Sequence, residues 1–358
     1  MDIFAEMKRR GHEQVIFNYD RVTGLQAIIA IHDTSLGPAV GGCRIWPYPS
    51  EEAALEDALR LSETMTYKAA LAGIDFGGGK VVVLGEPEPE QRELWLRALG
   101  RFIETLHGRL WVGEDVGTSA EDLALMQRET HYVMGLPVAY GGSGDTGVTA
   151  ARGVIAAMEA ALMHRHGSRS LEGRRVAVQG LGKVGLELTR QLVERGAQVV
   201  AADINPHAVG KAVSELGIEP ADPWTILETP CDILAPCALG GVIDAEGVGR
   251  LRCQIIAGSA NNPLKDNQVA EKLRQRGILY APDFIANAGG MIQLTDELEG
   301  FRAERVRHRV EAIYEILLQV FASAERQGRS TVEVALEMVE ERLRLLTDIH
   351  RISLGRSR

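Results

Sequence analysis

Two lysines carry the first hint of chemistry. Only 7 of the 39 basic residues are lysine, and Lys68 and Lys80 stand twelve residues apart in a Gly-rich stretch, Met65 to Leu84, that is otherwise almost uncharged. An ammonium among apolar elements costs free energy to bury unless it is used. Two uses fit: gripping a carboxylate and taking up a proton. Lys68, on the apolar stripe of a helix, is expected to stay charged and hold a carboxylate. Lys80, desolvated and near a second ammonium, is expected to give up its proton more easily and to serve as a general base. Asp115 follows a short apolar run, a position that faces a cleft, and suits the passing of protons to and from a nitrogen.

A second constellation predicts what the lysines work beside. The apolar strand Val176 to Gln179 runs into Gly180-Leu181-Gly182-Lys183-Val184-Gly185 and then into a helix over Leu186 to Glu194. In this G-x-G-x-x-G order the first glycine permits a tight turn, the second lets the backbone approach a pyrophosphate, and the third lets helix and strand pack; the helix N-terminus offers N–H groups to phosphate. Eighteen residues beyond Gly185, Asp203 ends the next strand, where a carboxylate accepts the ribose hydroxyls and repels a 2′-phosphate, which favours NAD over NADP. Gly77-Gly78-Gly79-Lys80 is no phosphate loop, because Ile74 and Val81 stand where that pattern needs Gly and Ser or Thr. A nicotinamide cofactor with two buried amines and an aspartate points to oxidation at a carbon bearing a carboxylate.

These residues need elements to place them. Runs from Glu13 to Tyr19 and from Leu25 to His32 read as a hairpin around Thr23-Gly24. Ser50 caps a helix with Glu51 and Glu52 in its first turn and a stripe of Ala54, Ala58, Leu61, Met65 and Lys68. Lys80 opens a strand, Val81 to Leu84, apolar enough to be covered on both faces. A helix follows over Glu90 to His107, then a strand over Leu110 to Glu114, with a new helix from Gly117-Thr118. From about residue 148 strands and helices alternate, with strands at Arg175 to Gln179, Gln198 to Ala202, Ile233 to Ala235, Ile255 to Gly258 and Ile278 to Ala281, which predicts a parallel sheet. A long helical stretch starts after Gly289-Gly290, and Thr331 to about His350 is a helical, arginine-rich tail. The fold class is therefore α/β with two domains: an N-terminal α/β substrate domain, 1–147, and a Rossmann-type, doubly wound dinucleotide domain, 148–326.

Bulk properties agree. A chain of 358 residues with 45% hydrophobic content supplies two cores. The net charge of −10 comes with no basic block, so nucleic acid and anionic membrane surfaces are excluded as partners in favour of a small substrate. No charged-then-apolar leader precedes Met1 to Phe4, and no apolar run approaches the roughly 20 residues of a membrane helix, so a cytoplasmic protein is expected. Cys43, Cys231, Cys237 and Cys253 lack zinc spacing and are read as reduced packing residues; no metal is expected.

Taken together, Gly37 to Arg44 (GPAVGGCR), Met65 to Lys68, Gly77 to Lys80, Glu114 to Thr118 and Asn287 to Gly290 resemble the amino acid dehydrogenase family of the glutamate, leucine, phenylalanine and valine enzymes. The likeness spans nearly the whole chain, including Ser259 to Asn262 and the tail. It implies that Gly41 and Gly42 lie beside the substrate, that Lys68 binds its carboxylate, that Lys80 activates water for attack on an imino acid, and that Asp115 shuttles protons. It further implies that Leu181, Lys183, Val184, Thr149, Cys237, Ala238, Asn262 and Asn287 join the motif glycines and Asp203 at NAD. By the same resemblance the C-terminal segment, 327–358, packs back onto the first domain, the cleft lies between the domains, and the subunits form a homo-oligomer, often an octamer. The reaction implied is reversible: L-amino acid, NAD and water give 2-oxo acid, ammonium and NADH.

In the glutamate members a Lys precedes the paired Gly and a Ser on the late helix also reaches the side-chain carboxylate. Val40 and Leu294 stand there instead, and an unpaired buried carboxylate costs several kcal/mol, so an apolar side chain is expected. Met65, Met291 and Leu294 are the expected walls. The stretch Glu114 to Thr118 resembles leucine enzymes, whereas Val40, Gly113, Gly144 to Thr146 and Gly289 to Phe301 resemble phenylalanine enzymes or leave room for a ring. The bulk of Met291 and Leu294 favours branched-chain substrates, with phenylalanine second. A silent NAD-binding regulator would be expected to lose Lys80 or Asp115, and a shikimate-type or methylene-folate dehydrogenase would not need both lysines with Gly41-Gly42; neither description suits the chain.

Overall fold

Residues 2–350 are described by a computed structural model. They form two compact units. The first holds the chain to Gly144, Gln293–Arg302 and the residues from Val339 on; the second holds Asp145–Ile292 and Ala303–Met338.

The first unit comprises α1 (Ile3–Arg10), β1 (Gln14–Tyr19), β2 (Gln26–Asp33), β3 (Ala39–Trp46), α2 (Glu51–Leu71), β4 (Gly77–Leu84), α3 (Arg92–Glu104), β5 (Leu110–Glu114) and α4 (Ala120–Met126). Its five strands order as β1-β2-β4-β3-β5; β1, β2 and β4 pair antiparallel, and β3 runs parallel to β4 and β5. Because side chains alternate along a strand, the sheet has two apolar faces. Ile29, Ile31, Cys43, Val81, Val83, Leu110 and Val112 pack with Leu96, Leu99 and Ile103 of α3 and Leu123 and Met126 of α4. Ile28, Ala30 and Val82, on the opposite face, pack under Ala54, Leu55, Ala58 and Leu59 of α2. Each such large side chain contributes about 1.5–3 kcal/mol on full burial. Ser50 does cap α2, accepting from the Ala53 N–H at 3.1 Å.

Lys80 does not open its strand but lies fourth in β4, since Gly77, Gly78 and Gly79 are already held extended between β2 and β3. The helix expected from Gly117-Thr118 starts at Ala120, because Ser119 and Asp122 form a reciprocal capping box. The helix over Glu90 to His107 shortens to α3, preceded by a 3₁₀ turn at Pro89–Gln91. No pattern announced β3, whose Gly pair and Arg44 interrupt the apolar run.

The second unit comprises α5 (Gly147–His166), β6 (Arg175–Gln179), α6 (Lys183–Glu194), β7 (Gln198–Ala202), α7 (Pro206–Leu216), β8 (Glu219–Pro220), β9 (Ile233–Pro236), β10 (Ile255–Ile256), α8 (Asn267–Gln275), β11 (Leu279–Tyr280) and α9 (Asp283–Ala286), then α10 (Gly289–Glu297), which continues into the first unit, α11 (Ala303–Gln327) and α12 (Thr331–His350). All six strands are parallel in the order β11-β10-β9-β6-β7-β8. Counted from β6, that is the 3-2-1-4-5-6 order of a doubly wound dinucleotide fold, whose ligand position lies where the order reverses, between β6 and β9.

The unit boundaries differ from those expected. The first break falls after Gly144 rather than 147. Gln293–Arg302 belongs to the first unit, because Gln293 Nε2 donates to the Ser143 carbonyl at 3.1 Å and Glu297 accepts from the Gly135 N–H at 2.8 Å. The returning segment starts later than 327: Thr331 Oγ1 donates to the Tyr280 carbonyl at 2.6 Å and Val332 joins the second unit's core, whereas Arg342 pairs with Asp75 in the first unit at 2.8 Å. The part of that expectation on 351–358 lies outside the described residues. Among the described residues no helix is long and apolar enough to cross a membrane, and no His, Cys, Asp and Glu side chains cluster to hold a metal. The four cysteines are free thiols, and burial pushes Cys43 up to about 12.

Candidate active site

Within the first unit, three strands bring charge to one spot on the α2 face. Lys80, 4% exposed on β4, forms an ion pair and hydrogen bond with Asp115 Oδ2, just past β5. Oδ1 of Asp115 accepts from the Val116 N–H at 2.7 Å, and the Asp115 N–H donates to Thr118 Oγ1 at 2.9 Å, so the carboxylate is fixed by its own turn. Arg44 of β3 reaches the same carboxylate, 3.4 Å from each oxygen. Burial by itself pushes the Asp115 carboxyl up, but Lys80, Arg44 and the Val116 N–H outweigh it and hold it well below the usual carboxylate range. Asp115 is thus an anion that can receive a proton only in passing.

The glycine pair divides its duties. A side chain on Gly42 would stand 2.8 Å from Asp115 Cβ and 3.1 Å from Lys80 Nζ, so Gly42 lies directly against the pair. One on Gly41 would fall on the Gly79 carbonyl, so β4 requires that glycine. Gly42 pairs in register with Gly113 of β5, and a Cβ on Gly113 would lie 3.3 Å from Leu294 Cδ1. Leu294 and Gly113 are therefore neighbours, and Gly113 sits beside Gly42, which lies against the Lys80–Asp115 pair. Val40 is fully buried two residues before Gly42, and Met65 is half-buried on α2. Lys68, 7% exposed, lies two residues beyond Thr66, whose backbone packs so closely on β4 that only glycine fits at 78. Met291, buried one turn before Leu294 on α10, belongs to the second unit.

In the second unit the residues fit a dinucleotide. Gly180 follows β6 at φ 97°, a left-handed conformation suited to glycine, and a Cβ on it would meet Cys237 and Ala238 at 3.0 Å, just past β9. These are the two strand ends of the switch point. A Cβ on Gly185 would strike the Gly180 carbonyl, whereas one on Gly182 would meet nothing within 4 Å. Gly182 is the N-cap of α6, with no side chain capping it, so the helix start is open to phosphate oxygens. Leu181, Lys183 and Val184 complete that turn; the Lys183 side chain pairs with Asp145 at 3.3 Å. Asp203 Oδ2 accepts from the Leu181 N–H at 2.6 Å and Oδ1 from the Asn205 N–H at 2.8 Å, and each oxygen retains a lone pair for a hydroxyl. Thr149 lies in the first turn of α5, its Oγ1 donating to the Thr146 carbonyl at 2.9 Å.

Two further motifs meet beside β10. Asn287 Nδ2 donates to the Ser259 carbonyl at 3.1 Å and to Asn261 Oδ1 at 2.9 Å, and the Asn262 N–H donates to Asp283 Oδ2 at 2.7 Å. Asn287 Oδ1 is buried without a hydrogen-bond partner, an acceptor that a carboxamide N–H would satisfy. Sequence reasoning missed Arg44, whose lone charge in the otherwise uncharged run from Thr34 to Ser50 was the available signal. It also missed Gln293, Glu297 and Ser143, for which local pattern offered none.

Comparison with known proteins follows the same division of the chain. Residues 12–135 match the family model described as Glu/Leu/Phe/Val dehydrogenase, dimerisation domain, and residues 141–206 and 205–344 match Glutamate/Leucine/Phenylalanine/Valine dehydrogenase. The chain is 47% identical over 346 residues to a leucine dehydrogenase of Thermoactinomyces intermedius, covering 97% of this chain and 94% of that protein. It is also 47% identical over 355 residues to a phenylalanine dehydrogenase of the same organism, covering 99% and 97%. The crystal structure of an L-tryptophan dehydrogenase from Nostoc punctiforme superposes with a TM-score of 0.81 at 40% identity, over 96% of this chain and 99% of that one.

Proposed function

The chain belongs to the Glu/Leu/Phe/Val dehydrogenase family and is an NAD-dependent amino acid dehydrogenase, and we propose from that premise that it oxidatively deaminates branched-chain L-amino acids, leucine first, with phenylalanine the alternative. The observation that carries the reading is the buried Lys80–Asp115 pair under Gly42, next to an apolar wall of Gly113 and Leu294. When bound, NAD would accept the hydride from the substrate α-carbon, and the turn at Gly180, Gly182 and Gly185 would hold its pyrophosphate and Asp203 its ribose.

This chain's residues then handle protons. Lys68 holds the α-carboxylate. Lys80, neutral, takes a proton from water as the hydroxyl adds to the iminium carbon, leaving a carbinolamine. That proton passes through Asp115 to the amino nitrogen. The C–N bond breaks with its electron pair leaving on ammonia, while Lys80 takes the hydroxyl proton and the carbonyl of the 2-oxo acid forms. Asp115 suits a relay because the cations beside it keep it anionic between transfers.

A glutamate side chain would find Val40 and Leu294 where a cation is needed, so it is rejected. The match of residues 12–135 to a dimerisation domain supports a homo-oligomer, which the family resemblance puts at an octamer, working in the cytoplasm. NADH appearance with L-leucine, L-valine, L-isoleucine, L-phenylalanine and L-glutamate tests the assignment. The expected order has leucine first and glutamate silent; phenylalanine above leucine overturns the substrate, and silence with all five overturns the reaction.

A further inference from the structure

The Lys80–Asp115 pair has a third member. Arg44 points one arm of its guanidinium at Asp115, 3.4 Å from each carboxylate oxygen, and the other at Asp57 Oδ2 of α2, 2.8 Å away. Asp57 is itself clamped: Tyr48 donates its hydroxyl to Oδ2 at 2.6 Å and Arg60 donates to Oδ1 at 3.0 Å. Arg44 and Asp57 are largely shielded from water, with side chains 17% and 12% exposed. The Arg44 Nε is buried without a hydrogen-bond partner. A salt bridge serving stability alone is a poor reason for burying that much charge, because desolvation offsets most of the attraction.

We propose that Arg44 is a positioning residue of the reaction: braced by Asp57 and Tyr48, it gives Asp115 a second, permanent positive charge, so that the carboxylate stays aimed and ionised when Lys80 has given up its proton. This rests on the reading of Lys80 as the base. A single cation that must lose its charge during turnover would leave Asp115 unpaired in a buried site at that moment. Arginine suits the task because it does not deprotonate and its fork spans two carboxylates, neither of which a lysine reproduces. Burial works against the guanidinium's charge, yet Asp115 and Asp57 outweigh it and hold Arg44 above its ordinary value.

Asp115 faces Lys80 of β4 and Arg44 of β3; Arg44 faces Asp115, Asp57 of α2 and Tyr48 ahead of α2; Arg60 caps the far side of Asp57, and Lys68 stands further along the same helix. Cys43, on the other sheet face, stays a neutral thiol because burial pushes it up to about 12. Arg44 and Lys80 therefore share one carboxylate, and the arginine's charge opposes the protonated lysine.

Removing the Arg44 charge favours the protonated lysine, so the acid limb of kcat/KM for NADH formation moves to higher pH. Arg44 lies 3.4 Å from the carboxylate that Lys80 also pairs with, and the expected shift in Arg44→Gln is about one pH unit. Arg44→Lys cannot span both carboxylates, but an ammonium beside Asp115 and Asp57 is held charged, so the limb stays near its wild-type place even where kcat falls. If Arg44→Gln does not fold, Arg44→Gln with Asp57→Asn removes both buried charges together, strands neither, and is expected to move the limb the same way. A folded Gln variant, single or double, that loses rate equally at all pH values with its limb unmoved overturns the proposal. Lys80→Ala measured alongside separates the two claims: turnover retained there overturns the role of Lys80, whereas turnover lost there with an unmoved limb in the Gln variant overturns the role of Arg44 alone.

Discussion

Replacing Gly42 by alanine probes how tightly the first unit holds the reacting pair. The added methyl would stand 2.8 Å from Asp115 Cβ, 2.9 Å from the Glu114 carbonyl oxygen and 3.1 Å from Lys80 Nζ. The first two atoms belong to β5 and its turn and cannot swing aside, so the backbone must yield by about 0.7 Å to reach a normal carbon contact of about 3.5 Å. Overpacking of that kind costs about 1–3 kcal/mol, a loss of a few degrees in Tm. The catalytic loss is larger, because a misplacement near 1 Å in the reacting geometry costs about 10²-fold. We expect kcat to fall roughly 30- to 100-fold with NADH affinity intact, since the glycine motif lies in the other unit. Thermal unfolding, NADH fluorescence titration and initial rates read the three quantities. Gly210→Ala on α7, where a Cβ meets nothing within 4 Å, is the control and should be neutral or slightly stabilising. A Gly42→Ala enzyme within about threefold of wild-type kcat would refute the claim that this glycine exists for the Lys80–Asp115 pair.

Gly182→Ala should behave in the opposite way: its Cβ meets no protein atom within 4 Å, so Tm holds, while NADH binding weakens by about tenfold or more as the methyl takes the space proposed for phosphate; an unchanged NADH titration contradicts the proposed placement of the cofactor. Gly113→Ala puts a methyl 3.3 Å from Leu294 Cδ1 and 3.7 Å from Met134 Cε, both flexible ends, so the protein folds and the phenylalanine-to-leucine ratio of kcat/KM drops about tenfold or more; an unmoved ratio takes Gly113 out of the pocket. Stability should also depend on acid through His12, whose pKa burial and the neighbouring His32 and Arg10 lower to about 3. The unfolded chain binds that proton near pH 6.5, so the contribution is whole above 6.5 and is lost as pH falls towards 3. His12→Phe should lose less Tm than wild type between pH 7 and 4, and an identical slope would exclude His12 as a source.

The sequence made some parts of the molecule legible and hid others for physical reasons. β6 and β7 were readable to the residue because parallel strands buried on both faces are continuous apolar runs bounded by turn glycines. α2 was equally plain, from its Ser50 cap and a stripe that carried Lys68. β3 was hidden, since glycines that sheet neighbours hold extended look like a turn when read locally. The same effect displaced the start of β4 and put Lys80 at its edge instead of its middle. Pairings across long sequence separations were out of reach: Gly113 with Leu294, Ser143 with Glu297, and Arg44 with both Asp57 and Asp115 depend on tertiary packing that no spacing encodes. The lysines stood out because their charge had no local reason, and Arg44 had the same mark among many surface arginines.

Lys80→Ala offers the most direct test of the central claim that Lys80 is the base of an amino acid dehydrogenase. Turnover of L-leucine and NADH titration are to be measured on the same folded preparation. NADH formation is expected to disappear while NADH still binds as in wild type, because the turn at Gly180, Gly182 and Gly185 proposed for the cofactor is untouched. Turnover that survives in this variant would contradict it.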